Sequence, residues 1–314
     1  MAAYRSVPVN RSEVRESSRA TVWKDYVSLA KPGITGLIVL VAIAGFFLAS
    51  PESIGWMNLG ILVAAGASAS AGAAMLNHYL DRDLDAQMRR TRHRPLPDAR
   101  IAPSYRVAFL GAGLCALGVG AAAAWINPLA GFSILLGVLT YVVVYTAVLK
   151  RRSSWNIVIG GFAGSAPALA GSAAAVGVWT PAVGAFALLV FLWTPPHFWS
   201  LALSLKEDYR RAGLPMLPRM EDAAFSARTV VISALLLVPA TVVLGFTGAL
   251  AWPTFLTLLV LALSFVWVTR KLWSEPSRTV ARRSFVFSGP YLLGVILALV
   301  ANYGLVRLGI PTLY

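Results

Sequence analysis

Residues 58–95 read NLGILVAAGASASAGAAMLNHYLDRDLDAQMRRTRHRP. From Asn58 to Leu80 there is no Asp, Glu, Lys or Arg, and a run of that length crosses a hydrocarbon core about 30 Å thick as a helix, which takes roughly 20 residues. At Asp81 the character reverses, and Asp81, Arg82, Asp83, Asp85, Arg89, Arg90, Arg92 and Arg94 follow within a few turns. The stretch is therefore predicted to be a membrane-spanning helix whose end passes out of lipid into a charged segment.

The same alternation recurs along the whole chain. Apolar runs lie near 34–50, 58–80, 106–126, 129–149, 156–176, 181–204, 229–250, 254–269 and 286–306. The first and eighth are short and must extend into their flanks to span. Of the 314 residues, 58% are apolar and only 13% charged, with a mean hydropathy of +0.70, a composition that no water-soluble core accommodates. The expected fold is all-α: a polytopic membrane protein with about nine transmembrane helices bundled around a central cavity. Residues 1–33 are expected as a cytoplasmic N-terminal segment and 34–314 as one transmembrane domain with site loops at 81–105 and 205–228.

Orientation follows from the 27 Lys and Arg residues. All but Arg307 fall in the N-terminal segment or after the second, fourth, sixth and eighth spans. These positions share one face, and the positive-inside rule places that face in the cytoplasm, with the C-terminus outside. The net charge of +14 thus reports topology and proximity to lipid headgroups and does not imply a nucleic-acid partner. The first 33 residues lack an apolar stretch followed by a small-residue cleavage site, and their acidic residues Glu13, Glu16 and Asp25 suit a mitochondrial transit peptide poorly. A bacterial inner membrane is expected. Cys115 is the single cysteine, which excludes internal disulfides and thiolate metal clusters.

Asn77, Asp81 and Asp85 recur at i, i+4 and i+8, so they share one helix face at intervals of roughly 6 Å. Such a ladder of hard oxygen ligands suits magnesium, which takes one or two carboxylates and completes its shell with water and substrate phosphate. Arg82, Arg89, Arg90 and Arg94 stand nearby to hold non-bridging phosphate oxygens. A solvated helix end with acids paired to arginines explains the same pattern, and Asp83, on the opposite face, fits that reading better. His78 and His93 read either as metal or haem ligands or as ordinary polar residues.

A second cluster ends the sixth span: Trp193-Thr194-Pro195-Pro196-His197-Phe198-Trp199, then Lys206, Glu207, Asp208, Tyr209, Arg210 and Arg211. The paired prolines predict a break in the helix, with His197 beside it, functional or structural. Trp193, Phe198 and Trp199 suit either shielding of an allylic cation or an interfacial aromatic belt. Two acid-and-base clusters four helices apart suggest a pseudo-repeated bundle with one shared cavity. The small-residue stretches Ala64–Ala74 and Gly160–Ala175 allow close helix packing or line a slot for a chain-like substrate.

With these residues in place, the chain resembles the UbiA-type intramembrane prenyltransferases, and within that superfamily it closely resembles the haem O synthases. The resemblance runs from Tyr26 and Lys31-Pro32 to Tyr291. It rests on Asn77, Asp81 and Asp85, on Met88, Arg90, Thr91, Arg94 and Pro95, on Tyr145-Thr146 with Lys150-Arg151, on Asn156–Gly161, on Pro196-His197-Phe198, and on Lys206, Asp208-Tyr209, Ala212-Gly213 and Pro215-Met216. It implies a magnesium-dependent transfer of farnesyl from farnesyl diphosphate to a vinyl group of haem b, with addition of water. On this reading Asp81, Asp85 and Asp208 hold magnesium and Asn77 supports them. Arg90, Arg94, Lys150 and Lys206 grip diphosphate, Tyr145 lines the substrate site, and His197 ligates or orients haem. Haem A synthase or a terminal oxidase stands as a candidate partner. The superfamily's second pair of aspartates is incomplete, because Ala212 follows Asp208 at i+4 and Arg211 follows Glu207; Lys206 or Arg210 is expected to substitute in part. Prenylation of a quinone ring precursor, and haem transport or assembly, are the competing functions.

Overall fold

A computed structural model describes residues 22–50, 54–211, 213, 215 and 222–313. Residues 1–21, Ala212, Met216 and Glu221 lie outside the described residues, as do the side chains of Arg210 and Arg211. Among the described residues nine helices are long and apolar enough to cross a membrane. In chain order, with two short connecting helices, they are α1 (Val22–Ala49), α2 (Trp56–Leu80), α3 (Arg82–Gln87), α4 (Tyr105–Trp125), α5 (Pro128–Leu149), α6 (Asn156–Val176), α7 (Pro181–Ser204), α8 (Lys206–Arg211), α9 (Ala223–Gly245), α10 (Trp252–Trp273) and α11 (Arg278–Arg307). Ala251 and Thr312 form an isolated antiparallel bridge. The chain is a multi-pass membrane protein.

The short first run gains its length from residues 22–33, which the sequence assigned to an N-terminal segment. Helix α1 pauses at Lys31, whose backbone is left-handed (φ 47°, ψ 62°), and resumes with Pro32 at the first helical position. A proline there sacrifices an amide that would lack a partner in any case, and it steers the preceding residue away from right-handed helix. The result is a pivot that sets the Lys31 side chain apart from the lipid-facing surface of α1.

Helix ends elsewhere shift for local reasons. Asp222 caps α9 through Phe225 N (2.9 Å), so this helix starts six residues before the expected 229 and stops at Gly245 rather than 250. Ser277 caps α11 through Val280 N (3.3 Å), and its first turns carry Arg278, Arg282 and Arg283 beyond the apolar run. In α7 the helix continues through Pro195-Pro196, where a break was expected. Trp193, Thr194, Pro195 and Pro196 are all buried, so packing on both sides carries the helix past two missing amide donors.

The small-residue stretches act in packing. A Cβ on Gly72 of α2 would lie 2.4 Å from Gly111 O of α4, and one on Gly171 of α6 would lie 2.1 Å from Ala42 O of α1. Backbones thus touch at both crossings. The largest core joins α1, α6, α7, α9, α10 and α11 through Val41, Leu169, Phe186, Leu237, Phe265 and Tyr291. A smaller cluster at the charged end packs Leu84 and Met88 with Ile157, Trp199, Leu272 and Ala281. Leu96 and Ile101 fold the 88–104 segment onto Leu29, Met75 and Val107, and Arg100 bonds Asp25 and His93 O. The segment after α3 is thereby laid over the charged mouth of the bundle.

Candidate active site

Helix α2 ends at Leu80, and Asp81 N donates to Asn77 O (2.9 Å), while Asp85 N donates to Asp81 O (2.7 Å). The helical path therefore runs almost unbroken from α2 into α3, which keeps Asn77, Asp81 and Asp85 on one side. Asp81 is 1% exposed and Asp85 3%. Asp83 points the other way, with 60% of its side chain exposed, and Arg151 grips it with two bonds of 2.7 Å. That grip holds the Asp83 carboxyl well below the usual carboxylate range.

Buried carboxylates require partners, and each has a cation. The Lys150 ammonium bonds Asp81 Oδ2, which also accepts from Asn77 Nδ2 (2.8 Å). Arg94 NH1 lies 2.7 Å from Asp85 Oδ2. Lys31 Nζ donates to Asn77 Oδ1 (2.7 Å) and to Tyr141 OH (3.2 Å), so the pivot in α1 brings a third cation to the ladder, at its asparagine. Arg151 approaches Asp81 Oδ1 at 4.0 Å, too far for a hydrogen bond, and that oxygen is buried without a hydrogen-bond partner. His78 is buried with neither ring nitrogen hydrogen-bonded, its Nδ1 3.9 Å from Asp85 Oδ2.

The lysine is delivered by an unusual helix. Residues Thr140–Leu149 are π-helical, and the turn closes with Lys150 N donating to Tyr145 O (2.8 Å). π-Helical turns are rare and concentrate at functional sites. Here the wider turn stacks Tyr141 and Tyr145 at 6.0 Å with an interplanar angle of 10°, and turns Thr146 Oγ1 to accept from Asn77 Nδ2 (3.1 Å) while donating to Tyr141 O (2.7 Å). The ammoniums of Lys31 and Lys150 lie 5.9 and 6.0 Å from the Tyr141 and Tyr145 ring centres.

Of the second cluster, α8 reaches the same mouth. Tyr209 and Tyr145 both pack against the buried cluster that contains Leu84 and Met88. Burial pushes the Tyr209 phenol up, with Arg90, Lys150 and Arg94 pulling the other way. Asp208 and Lys206 lie half-buried on α8. Among the described residues no three His, Cys, Asp or Glu side chains gather closely enough to hold a metal, so Asp208 does not join Asp81 and Asp85 in one cluster. His197 lies elsewhere: its Nδ1 meets Ser288 Oγ at 2.5 Å, and its ring stacks on Trp193 (4.4 Å) and against Phe285 (4.8 Å). The ring is thus seated between α7 and α11. Phe198 is exposed and Trp199 is buried in the smaller cluster at the charged end.

Sequence reasoning passed over Lys31, Tyr141, Thr146 and Arg151 as members of the site. Lys31-Pro32 at the start of an apolar run was the available signal for the first, and the stretch Tyr145-Thr146 with Lys150-Arg151 was the signal for Thr146 and Arg151; the π-helix left none for Tyr141.

The chain's similarity to known proteins agrees with this geometry. The profile of the UbiA prenyltransferase family matches residues 38–289. A protoheme IX farnesyltransferase of Hahella chejuensis is 34% identical over 292 residues, covering 91% of this chain and 96% of the relative. The fold is similar to that of a digeranylgeranylglyceryl phosphate synthase (TM-score 0.75, 18% identity, 90% of this chain and 98% of that one). It is similar as well to a UbiA homologue from Archaeoglobus fulgidus bound to DMAPP and Mg2+ (TM-score 0.69, 16% identity, 88% and 99%). A carboxylate ladder under converging cations, at the mouth of a bundle of membrane-spanning helices, is thus found in a chain that belongs to the UbiA prenyltransferase family, on its protoheme IX farnesyltransferase branch.

Proposed function

We propose that this chain transfers the farnesyl group of farnesyl diphosphate to a vinyl group of haem b, giving haem O, and that the reaction takes place beside Asp81 and Asp85. The observation that carries the reading is the pair of buried carboxylates, one turn apart, crowded by Lys31, Lys150, Arg94 and Arg151. Acids alone would repel a diphosphate. Cations alone would not require two carboxylates to be buried among them.

The donor set is all hard oxygen, and Asp81 Oδ1 is buried and lacks a hydrogen-bond partner, which fits a divalent cation such as the Mg2+ of the A. fulgidus homologue. Asp81 and Asp85 would hold it, Asn77 would orient Asp81, and Asp208 would approach from α8 on the donor side. When bound, magnesium neutralises the leaving diphosphate.

The chain's own residues perform the rest. Lys150 and Arg94, which pair with the carboxylates in the structure, turn to the phosphate oxygens with Arg90 and Lys206, and Lys31 holds Asn77 in place. The donor's allylic carbon–oxygen bond breaks with both electrons leaving on diphosphate. The haem vinyl π-bond attacks the allylic carbon, and water adds to the haem-side cation with loss of a proton. Tyr141 and Tyr145 present stacked faces near the ladder, where cation–π attraction strengthens once water is excluded. His197, fixed on Ser288, is assigned to orienting haem from the α7–α11 side. The positive-inside rule supports the cytoplasm for the basic face, in the bacterial inner membrane expected for this chain.

Pigment extraction after expression tests the reading. Haem O should accumulate with the native chain and be missing with Asp81→Ala or Asp85→Ala, while both variants remain in the membrane. Near-normal haem O from either variant refutes the assignment.

A further inference from the structure

A cavity of about 810 Å³ opens at the charged end of the bundle between α9, α10 and α11, away from the carboxylate ladder on α2 and α3. Its walls are apolar, with Val231, Leu235, Val266 and Val280, and its rim is basic, with Arg270, Lys271 and Arg283. The 3-10 turn Arg270–Trp273 that ends α10 builds this rim. Leu272 turns fully inward while Arg270, Lys271 and Trp273 stay exposed.

Two arginines are held in place by tryptophans. Arg270 lies 5.2 Å from the Trp267 ring centre and Arg228 lies 5.6 Å from that of Trp273, which orders each guanidinium and leaves its N–H edges available. Arg283 makes no hydrogen bond or ion pair among the described residues. The single acid lining the cavity, Glu275, is paired with Lys271 at 3.1 Å. Half-exposed Trp267 and Trp273 mark the depth at which indole rings settle among headgroups.

An occupant must be amphipathic, anionic at the headgroup level and apolar below. The cavity has no pair of free carboxylates to bring a divalent cation, so it is not a second diphosphate-donor site; its cations face the ligand directly. We infer that this cleft binds the phosphate of an anionic glycerophospholipid, with the acyl chains lying along Val231, Leu235 and Val266. Basic pockets between transmembrane helices take such headgroups. Of the lining residues, Val280 also belongs to the buried cluster that holds Leu84 and Met88.

The test uses the full-length protein in detergent, with native mass spectrometry and thermal melting in the presence of phosphatidylglycerol, phosphatidylcholine or inorganic phosphate. Phosphatidylglycerol should remain bound and raise the melting temperature, whereas the other two should not. In the double variant R270Q/R283Q its affinity should fall roughly tenfold or more. The control R278Q/R282Q removes the same charge from the start of α11, outside the cavity lining, and should leave the affinity intact. Equal retention of phosphatidylcholine, displacement of the lipid by millimolar phosphate, or equal losses in the two double variants would each overturn the inference. Unchanged phosphatidylglycerol affinity in R270Q/R283Q would also overturn it.

Discussion

The Lys150 ammonium, at the end of a π-helical turn, rests on the same Asp81 oxygen that accepts from Asn77. The lysine thus occupies one side of a carboxylate assigned to a metal, and it must exchange that partner for diphosphate when the donor binds. In Lys150→Met, kcat/KM for haem O formation should fall by about 10² to 10³, the usual loss for one preorganised charge interaction, while the magnesium concentration giving half-maximal rate should not rise. A rise in that concentration together with an unchanged donor KM would assign Lys150 to the metal site instead.

Lys31 binds Asn77 and Tyr141 from a left-handed position before Pro32. Lys31→Ala should raise the donor KM by roughly tenfold with a smaller change in kcat, because a loosened Asn77 weakens donor binding alike in the ground and transition states, and loss of shared binding energy acts mainly on KM. Lys31→Arg should recover part of the loss. Steady-state kinetics in detergent decide it, and an unaltered donor KM in Lys31→Ala removes this residue from the site.

Asp83 supplies the contrast within the ladder. Its folded-state pKa is depressed by the bidentate Arg151, so whatever stability it contributes is present above the unfolded-state value near 3.9 and is lost as pH falls through the folded value. With its side chain 60% exposed, solvent screening limits that contribution to about 0.2–1 kcal/mol. Asp83→Asn should melt slightly lower at pH 7, should converge on the native chain as pH is lowered below about 4, and should still make haem O. Loss of turnover in Asp83→Asn would mean that the wrong face of the helix has been assigned.

Close packing of α2 on α4 gives a stability prediction. A methyl on Gly72 meets Gly111 O and the Cys115 backbone below 3.0 Å, whereas one on Gly66, in the same helix, meets nothing within 4 Å. Gly72→Ala should therefore lower the melting temperature, at a cost of about 1–3 kcal/mol for overpacking, and Gly66→Ala should not. Equal melting of the two variants would contradict the helix crossing described here.

Much of this was legible in the sequence because lipid imposes its length rule on every span and the 3.6-residue period places Asn77, Asp81 and Asp85 on one face without tertiary information. The short first run forecast its own extension, which residues 22–33 provide. What failed to show were features created by packing. The prolines at 195 and 196 signal a break that burial overrides, and the charges of Arg278, Arg282 and Arg283 hid the start of α11, which continues beyond the apolar run. Lys150 was expected at the site, but the π-helix at Thr140–Leu149 has no simple residue pattern, so the contacts of Tyr141 with Lys31 and of Thr146 with Asn77 could not be foreseen. Lys31 lies 46 residues from Asn77 in sequence, and only the packing of α1 on α2 joins them.

The most direct test is haem O formation by the purified protein from haem b and farnesyl diphosphate, with magnesium and with excess chelator, beside Asp81→Asn and Asp85→Asn. Turnover is expected with magnesium, none in chelator, restoration when magnesium is returned, and negligible rates in both variants at any magnesium concentration. Equal turnover in chelator, or a native rate in either variant, would contradict the assignment of these two carboxylates as the gatherers of a cation for the diphosphate.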